Sequence, residues 1–227
     1  MTPSTEWTGR LWLGRDYGLI HGELGRTTPH AHYAHQLIVA PDAPVTVQLD
    51  GVDQTAHRLF IPSHINHAIV DAPQAVFTVY AEPLSFDGQT LRAAVFDAPL
   101  SLEGLDHAVR HCPRQALEDG RIERALSALD GLLSSKVPAG ALAAEAHLSL
   151  SQLQRLFASQ LGLPVRRLVL WRRLRVAMGL ILAGSPVTGA AHEAGFADSA
   201  HFSRSLKKLF GVTARQGLQH IELHLLD

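Results

Sequence analysis

A chain of 227 residues, 46% hydrophobic and with a net charge of −1, has enough apolar material for one large core or two modest ones, which excludes an intrinsically disordered protein. Its single cysteine, Cys112, rules out an intrachain disulfide framework and fits a reducing compartment. The small net charge hides a division: residues 1–135 hold 9 Lys and Arg against 16 Asp and Glu, and residues 136–227 hold 11 against 5, so an acidic half is joined to a basic half for which a polyanion is a candidate partner.

The first residues place Glu6 and Arg10 where a signal peptide needs an unbroken apolar segment. The longest uncharged run near the other end, Val176 to His192, is interrupted by Gly184, Ser185 and Pro186 and is too short to cross a bilayer. The expectation is a cytoplasmic protein without membrane contact. From about Gly9 to Leu84 the segments GRLWLG, YGLIHG, QLIVA, VTVQL, HRLFI, HAIV and AVFTVY are separated by Gly, Pro, Asp and Asn. About seven short strands at this spacing predict a small barrel or sandwich.

From Ser101 onward the period becomes helical. Leu102, Leu105 and Val109 fit one helix, and Ile122, Leu126, Leu129 and Leu133 fit a second. The second stripe suits a dimer seam or packing on the chain's own barrel equally well. His107 and His111 are spaced to share one helical face beside Cys112, with Asp106 and Arg110 around them, which is the pattern of an ordinary solvated surface. SSKVPAG, Ser134 to Gly140, reads as a linker at the point where the charge changes sign.

The last ninety residues contain a loose repeat. Segments 141–164 and 188–213 each show an Ala-rich helix, a turn, a capping residue (Ser149 or Asp198), a second helix and a closing Gly, which is the pattern of a helix-turn-helix unit. Between them Val165 to Ala183 is 19 residues of helical pattern, about 28 Å long. Successive major-groove faces of DNA are about 34 Å apart, so such a spacer suits two recognition helices on one side of a duplex.

The residues that carry this pattern resemble the DNA-binding domain of the AraC/XylS family of transcription regulators. They are Leu142, Ala143, Ala146, Ser149, Leu153 to Phe157 and Gly162 in the first unit; Arg173, Leu174, Ala177 and Leu180 to Leu182 in the spacer; and Val187, Ala190, Gly195, Phe196, Asp198, Phe202 to Arg204, Leu206, Lys207, Phe210 and Gly211 in the second. After Gly211 the family usually has Pro and an aromatic, where this chain has Ala214 and Gly217, and the first unit's Pro comes one place early at Pro164. The resemblance implies that Ser151, Gln154 and Arg155 in one unit, and Ser199, Ala200, Ser203 and Arg204 in the other, face the bases or phosphates of double-stranded DNA. The pair Lys207 and Lys208 suits phosphate contacts. Arg can fork onto guanine and Gln onto adenine, whereas Ala200 offers only a methyl group.

In the β-rich half, His30-x-His32-x-x-x-Gln36 and, later, Pro62 followed by His67 resemble the two motifs of the cupin superfamily, and many AraC/XylS regulators begin with such a barrel. The resemblance implies that His30, His32, Gln36 and His67 line a small-molecule effector site. The alternative it implies is a divalent metal site, with Gln36 where metal-binding cupins carry a carboxylate; three imidazoles and an amide oxygen suit Zn, Ni, Fe or Cu.

The expected fold class is thus α+β: a cupin-like β-barrel over residues 1–99, a helical linker and candidate dimerisation element over 100–135, and an all-α double helix-turn-helix domain over 136–227. The expected function is a non-enzymatic, effector-responsive regulator, homodimeric on its operator and in contact with RNA polymerase. The alternatives are a regulator whose signal is the metal itself, or a cupin metalloenzyme fused to a helix-turn-helix domain.

Overall fold

The structure, a computed structural model, describes residues 6–72, 74–117, 119–133 and 137–226. Its contacts divide into two compact units: Met1–Gln115 together with Leu206–Asp227, and Ala116–Ser205. The start of the expected linker, residues 134–136, lies outside the described residues.

The first unit contains strands β1 (Thr8–Leu13), β2 (Tyr17–Glu23), β3 (His35–Val39), β4 (Val45–Leu49), β5 (Val52–Ala56), β6 (Arg58–Ile61), β7 (His67–Asp71) and β8 (Ala75–Ala81), then helices α1 (Gly88–Phe96) and α2 (Leu102–His111). These strands form a six-stranded sheet ordered β6-β3-β8-β2-β1-β9 and a three-stranded sheet ordered β5-β4-β7, β9 being His220–Leu225. The seven expected strands are present. β5 is an addition, a short exposed strand after the Asp50-Gly51 turn. So is β9, which runs parallel to β1 in the register Leu11 to Leu223, so the carboxy-terminal region is not all helical.

Strand alternation gives the six-stranded sheet two dissimilar faces. Leu19, Leu37 and Val79 lie in one row across it and are buried with Leu91 and Val95 of α1 and Leu102, Leu105 and Val109 of α2. Each such side chain contributes about 1.5–3 kcal/mol by leaving water, and the row explains why the apolar stripe read in α2 lies on the sheet. The opposite face carries Leu11, Ile20, Ile38 and Thr78 in register. Gln36 and Tyr80, one pleat along, share that face.

The second unit begins with α3 (Gly120–Leu132), followed by α4 (Ala139–Glu145), α5 (Leu150–Leu161), α6 (Val165–Leu182), α7 (Val187–Glu193) and the start of α8 (Ser199–Phe210); the end of α8 and α9 (Ala214–Leu218) fall in the first unit. Ile122, Ala125, Leu126 and Leu129 of α3 are buried, and α3 packs against α4. The apolar stripe of α3 is therefore buried within the chain, with α4 as its neighbouring helix.

Candidate functional site

Two constellations stand out, one in each unit. In the second unit, α4–α5 and α7–α8 have matching turns. Leu148 N donates to Ala143 O at 2.8 Å and Phe196 N to Ala191 O at 2.9 Å, each closing a six-residue loop around a left-handed residue, His147 at φ +55° and Gly195 at φ +83°. This is the Schellman way of ending a helix, and it turns the chain sharply into the next one. A side chain at Gly195 would place its Cβ 2.4 Å from Leu133 O and 2.8 Å from Arg173 Nε, so glycine is required there on two counts.

Each second helix then starts on a cap. Ser149 Oγ accepts from Gln152 N at 3.3 Å while Ser149 N donates to Gln152 Oε1 at 2.8 Å, a complete capping box; Asp198 Oδ1 accepts from His201 N at 2.5 Å. Leu153 and Phe157 of α5 are buried, as are Phe202, Leu206 and Phe210 of α8. Packing those stripes leaves Ser151, Gln154 and Arg155 exposed on α5, and Ala200, Arg204, Lys207 and Lys208 exposed on α8, with Ser199 and Ser203 half-buried beside them. Between the two helix-turn-helix pairs α6 runs 18 residues, about 27 Å, with Arg172 paired to Asp130 and Arg173 Nε donating to Leu133 O at 3.0 Å.

The second constellation lies in the first unit. His30, His32, Gln36 and His67 are all buried. His30 and His67 exchange backbone hydrogen bonds of 2.9 and 2.8 Å, which joins the loop before β3 to the start of β7. One ring nitrogen from each of the three histidines lies within 4.8 Å of the others. Burial, and for His30 and His32 the neighbouring imidazoles, push their pKa values down: His30 to about 3, His32 well below the ordinary value and His67 below it. All three are neutral at physiological pH, which is the form that binds a metal.

Their tautomers follow from their partners. Nδ1 of His30, His32 and His67 lies 2.9 Å from the carbonyl oxygens of Thr28, Ala34 and Ile65. A carbonyl only accepts, so each Nδ1 carries the proton and each Nε2 presents a lone pair. The Gln36 amide stands 3.1 Å from Nε2 of His32 and 2.9 Å from Nε2 of His67. Two lone pairs facing one amide are satisfied when its NH2 turns toward them, or when a cation stands among them with the amide oxygen as a further ligand. A backbone carbonyl on the far nitrogen of every ring is how metal-binding imidazoles are generally held, so the donor set fits a divalent metal.

Residues that the sequence did not assign to this site complete it. The Phe210 ring lies 5.6 Å from that of His32 and 5.8 Å from that of Tyr80. Thr28 donates to Gly211 O from its N at 3.0 Å and from its Oγ1 at 3.1 Å. Thr78 Oγ1, on the same sheet face as Tyr80, is buried with no hydrogen-bond partner among the described residues. The period-2 pattern of AVFTVY could have placed Thr78 and Tyr80 with Gln36. Nothing local could have brought Phe210 there, since it lies 178 positions after His32 in the chain.

Residues 142–220 match the family model described as a helix-turn-helix domain. The chain carries an AraC-type helix-turn-helix domain. Among solved structures, ToxT from Vibrio cholerae aligns at 10% identity over 92% of this chain and 94% of that one, with a TM-score of 0.55. ToxT with bound unsaturated fatty acid aligns at 9% identity over 94% and 95%, with a TM-score of 0.53. A transcriptional regulator with an AraC-type DNA-binding domain from Chromobacterium violaceum aligns at 25% identity over 42% of this chain and 87% of that one, with a TM-score of 0.41. The two ToxT alignments show a shared fold, a β-rich amino-terminal part followed by a helical helix-turn-helix part. No curated protein matches the chain in sequence.

The AraC-type domain places the nine expected DNA-facing residues on α5 and α8. The four expected effector or metal residues are brought together by β3, β7 and the loop before β3. His107 and His111 lie with ring centroids 3.9 Å apart and planes tilted by 34°, and His111 Nδ1 donates to His107 O. Among the described residues only His30, His32 and His67 form a metal-competent group of three, and no helix is long and apolar enough to cross a membrane.

Proposed function

We propose that this protein is a cytoplasmic transcription regulator that binds double-stranded DNA sequence-specifically through α5 and α8 and responds to a small molecule held in its β-rich unit. The observation that carries this reading is the pair of capped second helices whose buried stripes leave Gln154, Arg155, Arg204, Lys207 and Lys208 in solvent, with a spacer helix of 18 residues between them in the chain. Arg and Gln supply base contacts, and the lysines supply phosphate contacts that fix register. The effector lies at His30, His32, Gln36 and His67. The buried Thr78 hydroxyl, without a hydrogen-bond partner among the described residues, supports a ligand on that sheet face, since such a group costs free energy until something bonds to it. The bound fatty acid of ToxT supports ligand binding in this fold. Gln36 in place of a carboxylate argues against metalloenzyme chemistry. Homodimerisation belongs to the same proposal, through a surface other than the covered stripe of α3.

The test is a fluorescence anisotropy titration of the purified protein with DNA from upstream of its own and neighbouring genes, in excess nonspecific competitor. Competitor-resistant binding supports the reading, and its absence with every fragment sinks it.

A second reading makes the signal a divalent transition metal. The three Nδ1-to-carbonyl hydrogen bonds, which leave each Nε2 unprotonated, in a cluster whose ring nitrogens lie within 4.8 Å of one another, favour it. Titrating untagged, metal-free protein with Co2+ and recording visible absorption decides between them: a saturable band with one equivalent supports the metal, and a featureless titration removes it.

A further inference from the structure

The helix that carries six of the nine residues expected to face DNA ends beside the histidine site. α8 runs from Ser199 to Phe210, and the Phe210 ring at its end lies 5.6 Å from that of His32 and 5.8 Å from that of Tyr80. The next residue, Gly211, is in the left-handed region at φ +70°, and a Cβ there would stand 2.7 Å from His30 Nδ1 and 2.4 Å from Thr28 O. The turn that ends α8 therefore fills the space beside the first two histidines without slack. Beyond it the chain is stitched to the amino-terminal strand: Trp7 N donates to Gln216 O at 2.8 Å, β9 pairs with β1 from Thr8–His220 to Leu13–Leu225, and Leu226 N donates to Leu13 O at 3.0 Å.

We propose that residues 206–226 act as a strap that closes the histidine site, so that rearrangement of His30 and His32 on ligand uptake is coupled, through Phe210 and Gly211, to the seating of the last turn of α8 and of β9. This rests on the regulator reading for its consequence and on the contacts above for its existence. The movement required is small. One ring nitrogen of each histidine lies within 4.8 Å of the others, so a ligand held among them would shift the rings by its own bulk. Close-packed aromatic contacts pass on such shifts because they have no free volume in which to absorb them. A ligand that moves these rings has different affinities for the two positions of the strap, which is the condition for coupling.

The experiment is amide hydrogen exchange read by mass spectrometry on the full chain, comparing wild type with His32→Ala and Phe210→Ala. Both variants are expected to exchange at least about tenfold faster across 206–211 and 220–225, the size of an ordinary coupling free energy, while β2 and β8 keep wild-type protection. Should β2 and β8 lose protection in His32→Ala, the bulkier His32→Gln is read in its place. Wild-type exchange across 206–226 in the histidine variant overturns the strap. DNA titrations of the same three proteins separate the two ideas: if none binds DNA, the regulator reading fails, and the exchange result alone still decides whether the strap exists.

Discussion

Gly211 and His30 are in tight contact: a Cβ on Gly211 would reach within 2.7 Å of His30 Nδ1, on a residue whose φ is already +70°. Gly51 has a similar φ of +87° with nothing around its missing Cβ, so the pair isolates contact from conformation. Gly51→Ala should cost about 1 kcal/mol, the penalty of a left-handed L-residue. Gly211→Ala should cost that plus a backbone collision with Thr28 O, in all about 3 kcal/mol. Urea melts of both variants measure the difference.

Acid should weaken the metal-free protein through the three buried histidines. Their folded pKa values are lowered, His30 to about 3, so between the unfolded value and the folded ones the unfolded chain binds more protons. Stability is therefore full above about pH 6.5 and falls as pH drops toward 3, by at most about 1.4 kcal/mol per pH unit for each histidine. Urea midpoints from pH 7.5 to 4.5 should show the decline, and His30→Asn should make it shallower.

His147 occupies at φ +55° the position that Gly195 occupies in the second unit. His147→Gly should stabilise the protein by about 0.5–1 kcal/mol by removing a left-handed side chain. A rise in thermal midpoint checks this, and a fall would mean that the imidazole makes an interaction that outweighs the strain.

For DNA, Lys207→Glu and Lys208→Glu should flatten the plot of log affinity against log salt by about 0.9 for each phosphate that is no longer neutralised. Arg155→Ala and Arg204→Ala should instead weaken specific binding by about 1–3 kcal/mol each. An unchanged slope in the lysine variants places that pair away from the backbone.

Gln36→Glu should raise Co2+ affinity at least about tenfold, because it puts a charged oxygen where the amide now faces His32 and His67. The same variant should be less stable without metal, since the carboxylate is then buried facing two lone pairs. Both effects can be read from one set of melts with and without Co2+.

What the sequence disclosed followed from local periodicity and side-chain chemistry. The stripes of α5 and α8 and the caps Ser149 and Asp198 are written within a few turns of chain, and these features fix which residues face solvent. β1 to β4 and β6 to β8 were readable because their apolar residues alternate between Gly and Pro breaks. β5, VDQTA, has no apolar face to show because it is exposed nearly throughout. α1 offered only Leu91 and Val95 as a buried pair. β9 has a clear alternation of Ile221, Leu223 and Leu225 with His220, Glu222 and His224, but a strand is defined by its partner, and that partner is β1 at the other end of the sequence. The same separation kept Phe210 from being placed beside His32.

The parallel pairing of β1 with β9 also governs the order in which this protein is made. Thr8–Leu13 leaves the ribosome more than two hundred residues before His220–Leu225, so for most of synthesis one edge of the large sheet is without its neighbour. Pairings at such separation form late and slowly, and an open strand edge is a site of mispairing in the meantime. Binding of β1 to β2 and of the helices to the sheet is complete without the last twenty residues, whereas the seating of Phe210 on His32 is not. A nascent chain thus holds its β-rich core well before Phe210 closes on the histidine cluster.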